Sequence, residues 1–121
     1  MLDDLQAMYD TQRLDQIDRY GVDPADLDMQ QWSDYIRTMV LALDDEMHEV
    51  LREVPWKPWS NRTDKTFDSG AVKAEIADAF HFFMNVMIAM RVTPEHLVDS
   101  YFRKHEINQE RKVSEYISTT G

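Results

Sequence analysis

The chain has no cysteine in its 121 residues. Disulfides, thiolate zinc sites and cysteine nucleophiles are therefore excluded, and the absence fits a cytoplasmic setting. Glycine and proline are scarce, at three and four, and they fall between periodic segments rather than within them. No segment alternates apolar and polar residues in the way a half-buried strand does. Positive charge is also short: 13 Lys and Arg face 23 Asp and Glu, for a net charge of −10. That balance argues against a nucleic-acid polymer or an anionic membrane as partner, because both need a basic footprint. Long apolar runs are missing. The longest mostly apolar stretch, Ala79 to Met90, is too short to span a bilayer and contains His81 and Asn85. The opening MLDDLQAMYD carries acids where a secretory leader needs bases.

What remains is a globular composition, with 43% apolar and 11% aromatic residues. The length predicts a single domain over residues 1–121. A chain this short buries a modest core alone, so oligomerisation would help it. Leu2 to about Tyr20 reads as a first helix with Leu5, Met8, Leu14 and Ile17 near helical spacing. After the connector GVDPADLD, a second helix is expected from about Met29 to Val54. Its apolar stripe is Trp32, Ile36, Met39, Val40, Leu43, Met47, Val50, Leu51 and Val54, and Pro55 ends it. PWKPWSNRTDKTFDSG reads as a long loop. A third helix is expected from about Ala71 to Arg91. Thr93 then suits an N-cap, Pro94 the first helical position and His96 the third, opening a fourth helix to about Ile117. The predicted class is all-α, a compact bundle of about four helices.

The third helix is the most informative. Ile76, Ala79, Phe80, Phe83, Met84, Met87 and Met90 cover more than half its circumference, yet Glu75, Asp78, His81 and Asn85 form one narrow polar line. Burying unpaired carboxylates is costly, so that line either faces water or meets a compensating charge. On the second helix, Glu46 and Glu49 lie three apart and project from one side. Two antiparallel helices with such pairs would bring four carboxylates together, and hard oxygen ligands suit Mg²⁺ or Mn²⁺. A bland reading stands beside this one. An E-x-x-E pair is usually a solvated helix face, His81 can be a hydrogen-bonded core residue, and Trp56 and Trp59 can cap the core. The methionines read as core filler.

EMHE, a spacer of 25 residues and then EIAD resemble the ExxE…ExxD signature of the all-α nucleoside triphosphate pyrophosphohydrolases, which include the MazG-type enzymes and the dimeric dUTPases. Other blocks are similar to the dUTPase branch. WKPWS resembles its tryptophan-bearing loop, EIADAFHFFMNVMIAM its E-x-x-D-x-x-H-F helix and MYDTQRLDQI its base-facing first helix. YFRKHEINQER resembles its late K-x-x-x-N-x-x-R phosphate motif. The blocks occur in the family's order, from Met8 to about Tyr116. Two departures stand out: the chain is short for the branch, and the late motif runs on as RKVSEY, without the glycine of the usual Gly-Tyr.

The resemblance implies hydrolysis of dUTP to the monophosphate and pyrophosphate, with dCTP as a second substrate accepted by phage-type relatives. It also implies a homo-oligomer, dimer or tetramer, with Mg²⁺ as cofactor and Mn²⁺ as a substitute. Glu46, Glu49, Glu75 and Asp78 would be the metal ligands, with Glu49 doubling as general base. Lys104, Asn108 and Arg111, at i, i+4 and i+7 of the fourth helix, would offer two cations and an amide to phosphate oxygens. Trp59, His81 and Phe82 would form the base pocket with Gln12 and Asp15. A carboxylate at Asp15 accepts equally from uracil N3–H and from the cytosine amine, so the base is left open. A MazG-type enzyme with broad or purine preference, a non-catalytic helical interaction module and a magnesium-regulated binding protein are the alternatives.

Overall fold

The computed structural model describes residues 2–59 and 68–120, with side chains described as far as residue 112. Positions 60–67 of the expected long loop lie outside the described residues. The described chain is all-α: α1 Leu2–Tyr20, α2 Met29–Arg52, α3 Ser69–Ala89 and α4 Pro94–Thr120, with a single 3₁₀ turn at Pro24–Asp26.

α2, α3 and α4 each start where a side chain satisfies free N–H groups of the first turn. Asp28 caps α2 in a reciprocal box, accepting from Gln31 N at 2.8 Å while Gln31 Oε1 accepts from Asp28 N at 3.3 Å. Asp68 accepts from the N–H groups of Gly70 and Ala71, so α3 begins at Ser69, slightly before the expected Ala71. Thr93 Oγ1 accepts from His96 N at 3.1 Å, and His96 Nδ1 accepts from Thr93 N at 3.3 Å. The expected Thr93, Pro94 and His96 start is therefore present, with histidine in the place Glu or Gln usually takes. The second helix ends at Arg52 rather than Val54, with Glu53 as its cap.

The ends are equally specific. Gly21, at φ 74°, returns its N–H to Ile17 O at 2.8 Å and closes α1. After α3, Arg91 N bonds Ile88 O at 3.1 Å and Val92 N bonds Met87 O at 2.9 Å. This is a Schellman closure with Arg91 in the left-handed region at φ 58°, where glycine is the usual occupant. A side chain there costs roughly 1–2 kcal/mol. The guanidinium gives something back, donating to Ala25 O at 2.6 and 3.1 Å and tying this corner to the 3₁₀ turn.

α2 and α3 run antiparallel as the main pair. Trp32 Nε1 donates to Ala89 O at 2.9 Å at one end, and Glu46 meets Glu75 at the other. α1 crosses α3, and α4 leans on α1. Two apolar clusters hold this together. Tyr9, Met84, Met87 and Ile88 form one, with Phe80, Val92 and Leu97 packed against it. Tyr35, Met39 and Ala89 form the other, with Trp32, Ile36 and Phe82.

The core departs from the stripes that hydropathy suggests. In α1 the buried residues are Tyr9 and Gln16, while Met8 and Leu14 are exposed. The reason is a polar pairing: Gln16 Oε1 accepts from Tyr35 Oη at 2.7 Å, which lets both be buried. Burial pushes the Tyr35 hydroxyl well above its usual range, so it serves as a neutral donor. In α2, Val40 and Met47 of the expected stripe are exposed, as are Ile76 and Phe83 of α3 and its C-cap Met90.

Candidate active site

The antiparallel α2–α3 pair sets Glu46 opposite Glu75 and Asp78, with one oxygen of each carboxylate within 4.8 Å of the others. On α3, Glu75 and Asp78 are three residues apart and so project from the same side. Exposed acids often cluster without consequence. Here one atom argues otherwise. Glu46 Oε2 is buried and has no hydrogen-bond partner among the described residues. A buried acceptor with no donor costs about 1–3 kcal/mol, and a cation between the three carboxylates would satisfy it. The Glu75 carboxyl is pushed above its ordinary range. Reduced contact with water comes first, followed by a hydrogen bond shared with the Glu46 carboxylate and the negative charges of Glu46, Asp78 and Glu49. The oxygen-only donor set fits Mg²⁺ or Mn²⁺.

Glu49 lies one turn further along α2. It stands outside this trio and forms an ion pair with Arg52. Its charge still reaches Glu75.

A cavity of about 350 Å³ opens between α1 and α3, within the size range of small-molecule sites. Gln12, Asp15 and Thr11 line it from α1, and Phe80, His81 and Met84 from α3. Three of the residues expected at the base, Gln12, Asp15 and His81, thus share one cavity. It adjoins the acids, because His81 follows Asp78 by one turn of α3.

Other candidates are placed elsewhere. Phe82 packs into the cluster of Tyr35, Met39 and Ala89, since it lies about 100° around α3 from His81. Trp59 is 71% exposed and meets Trp56 edge-on at a centroid distance of 5.8 Å. Lys104, Asn108 and Arg111 are exposed on α4, which leans on α1.

Asn85 was visible in the sequence as the last member of the polar line, but nothing there gave it a role. In the structure it is 3% exposed. Its Oδ1 accepts from Gln12 Nε2 at 2.8 Å, and its Nδ2 donates to Met39 Sδ at 3.4 Å. The signal was its position, one turn past His81 on an otherwise apolar surface.

An acid of α2 facing an acid pair of α3 beside a cavity is the arrangement expected of the all-α nucleotide pyrophosphohydrolase class. Within it, the family described as dUTPase matches residues 4–96, and the chain belongs to that family, whose members are dNTP pyrophosphohydrolases. Two phage proteins are similar to it. A dCTP pyrophosphatase of Enterobacteria phage T4 is 28% identical over 145 aligned residues, covering 94% of this chain and 83% of the relative. A dCTP pyrophosphatase of Enterobacteria phage LZ5 is 33% identical over 67 residues, covering 47% of this chain and 39% of the relative. No solved structure matches the chain. Among the described residues, no helix is long and apolar enough to cross a membrane.

Proposed function

We propose that the chain is a Mg²⁺-dependent pyrophosphohydrolase of pyrimidine deoxynucleoside triphosphates, converting dUTP or dCTP and water to the monophosphate and pyrophosphate. The observation that carries this reading is the unpartnered, buried oxygen of Glu46 facing Glu75 and Asp78. Three carboxylates held together are relieved by a proton on Glu75 or by a cation, and a triphosphate comes with such a cation. A divalent ion bound there supplies charge neutralisation on the phosphate oxygens and a more acidic water.

The chain's own residues do the rest. Glu46, Glu75 and Asp78 would hold the ion, with Glu49 completing the set. Glu49, which stands outside the close trio and pairs with Arg52, would also take a proton from the attacking water as general base. That water adds to the α-phosphorus as the bond to the β-phosphate oxygen breaks, and pyrophosphate leaves. Gln12, Asp15 and His81 would receive the base in the neighbouring cavity. Trp59 and Phe82 belong to the same proposal on resemblance, Phe82 from behind the pocket wall and Trp59 as a ring free to stack.

Lys104, Asn108 and Arg111 would bind phosphate oxygens. They sit on an exposed helix, and Tyr101 and Phe102 beside them are 64% and 59% exposed. A homo-oligomer, dimer or tetramer, would cover such rings and the exposed Ile76 and Phe83 of α3. With no cysteine and a net charge of −10, the chain fits a cytoplasmic enzyme of free nucleotides, acting on neither nucleic-acid polymers nor membranes.

The test is product release from dUTP, dCTP, dATP and dGTP with and without Mg²⁺. Pyrophosphate should appear from the pyrimidine substrates and should stop in excess EDTA. Orthophosphate as first product, or full turnover in EDTA, refutes the proposal.

A further inference from the structure

We infer that Arg52 is a displaceable counter-ion. It holds Glu49 apart from Glu46, Glu75 and Asp78 in the empty protein and, once a divalent ion draws Glu49 in, gives its guanidinium to the phosphate oxygens of the nucleotide. The inference rests on the reading of those acids as the metal site.

The stretch from Leu43 to Val54 carries five acids, Asp44, Asp45, Glu46, Glu49 and Glu53, and Arg52 is the single Lys or Arg among them. It is the last residue of α2. Glu49 lies three residues back on the same helix, and Arg52 Nη1 donates to Glu49 Oε1. The acids of the site are thereby divided. Glu46, Glu75 and Asp78 have one oxygen each within 4.8 Å of the others, and Glu46 Oε2 has no partner among the described residues. Among the described residues Glu49 is the one of the four that holds an ion pair, and it is the one that stands outside. Its charge still reaches Glu75, and a glutamate side chain has the freedom to swing.

An ion pair between exposed side chains of one helix is weak. Here the side chains of Arg52 and Glu49 are 58% and 38% exposed. That weakness is what the role requires. The guanidinium offsets the charge of Glu49 while the site is empty and yields to an ion of higher charge density. Once released, it stands beside an occupied site and meets the triphosphate, whose oxygens a guanidinium can take in pairs. Ion and nucleotide then bind cooperatively, because whichever takes its partner from the Glu49–Arg52 pair frees the other. Arg52 also ends α2, where a positive charge suits the helix dipole; that role alone would couple to neither ligand.

The test follows the Nε–Hε NMR signal of Arg52 in the full chain, identified by its loss in Arg52→Gln. In Glu49→Gln without metal, this signal marks the freed guanidinium. Adding Mg²⁺ alone to the wild type should move the signal toward that position. The uncleavable α,β-imido analogues of dUTP and dCTP, added next, should move it again. In Arg52→Gln, Mg²⁺ alone should bind roughly two- to fivefold more tightly, which is what a solvated ion pair contributes. The Mg²⁺-loaded variant should bind the analogues about tenfold more weakly, the effect of losing hydrogen bonds between charged groups.

A signal that stays in place while Mg²⁺ saturates the protein overturns the inference and leaves the metal site standing. So does an unchanged affinity for Mg²⁺ or for the analogues in Arg52→Gln. If the wild type binds no Mg²⁺ at all, the reading of the acids falls and this inference with it.

Discussion

Glu46→Gln should make the metal-free protein more stable and the metal-loaded protein relatively less so. The buried Oε2 of Glu46 has no hydrogen-bond partner among the described residues, and Glu46 faces two more carboxylates. An amide of the same shape removes one charge from the cluster. It also brings an N–H that can donate to Glu75. Relief of an unsatisfied buried acceptor is worth about 1–3 kcal/mol, the new hydrogen bond to Glu75 included. The expected gain in EDTA is therefore about 1–3 kcal/mol, which for a chain of this size raises Tm by roughly 3–6 °C per kcal/mol.

Mg²⁺ should reverse the order. The intact site gains RT ln(1 + [L]/Kd), about 2.7 kcal/mol at a hundredfold excess over Kd. The variant binds more weakly and gains less. Calorimetric melts of both proteins, in EDTA and in millimolar Mg²⁺, give the four numbers required. If the variant melts with the wild type in both buffers, the cluster is a solvated helix face and the metal site does not exist.

The raised Glu75 carboxyl makes metal-free stability depend on pH. Its folded value lies above the ordinary 4.5, so the folded state holds the proton more tightly than the unfolded one. That stabilisation is fully present below 4.5 and is lost as pH rises through the folded value. Urea melts in EDTA should show stability falling across that window, and Glu75→Gln should flatten the slope; an equal slope in the variant refutes the assignment. Tyr35→Phe should cost about 1–3 kcal/mol, because it strands the buried Gln16 carbonyl. Adding Gln16→Leu should recover part of that loss, and strictly additive losses in urea melts would contradict the pairing. At the α3 corner, both Arg91→Ala and Arg91→Gly lose the bonds to Ala25 O, but only glycine relieves the positive φ. Arg91→Gly should therefore be the more stable of the two by about 1 kcal/mol, and the opposite order in chemical denaturation would refute the strain.

Helix number and the main breaks were legible because their causes are local. Pro55 and Thr93 with Pro94 act within one turn of themselves. The facing acids were legible for a different reason: a polar line on an apolar helix has few explanations. What hydropathy could not reveal is which face a helix buries when polar side chains pair. Tyr9 and Gln16 carry the buried side of α1, and Gln16 is a core residue only because Tyr35 donates to it across the interface. The same limit hid the role of Asn85, whose partners come from 73 residues earlier in the chain and from 46 residues earlier. Phe82 shows the cost of carrying a motif over as a block. Adjacent residues on a helix point about 100° apart, and His81 and Phe82 part ways accordingly.

The close carboxylate trio sits wholly on α2 and α3, while α1 supplies one wall of the neighbouring cavity and touches α3 there through the Gln12–Asn85 bond. Such a layout separates two kinds of heritable change. On the proposed reading, substitutions among the cavity-lining residues of α1 would alter what the cavity accepts without disturbing the acids, whereas a change at Glu46, Glu75 or Asp78 would strike every substrate alike. A lineage built on this plan can drift from one nucleotide pool to another by retuning a single helix, its hydrolytic chemistry inherited unchanged.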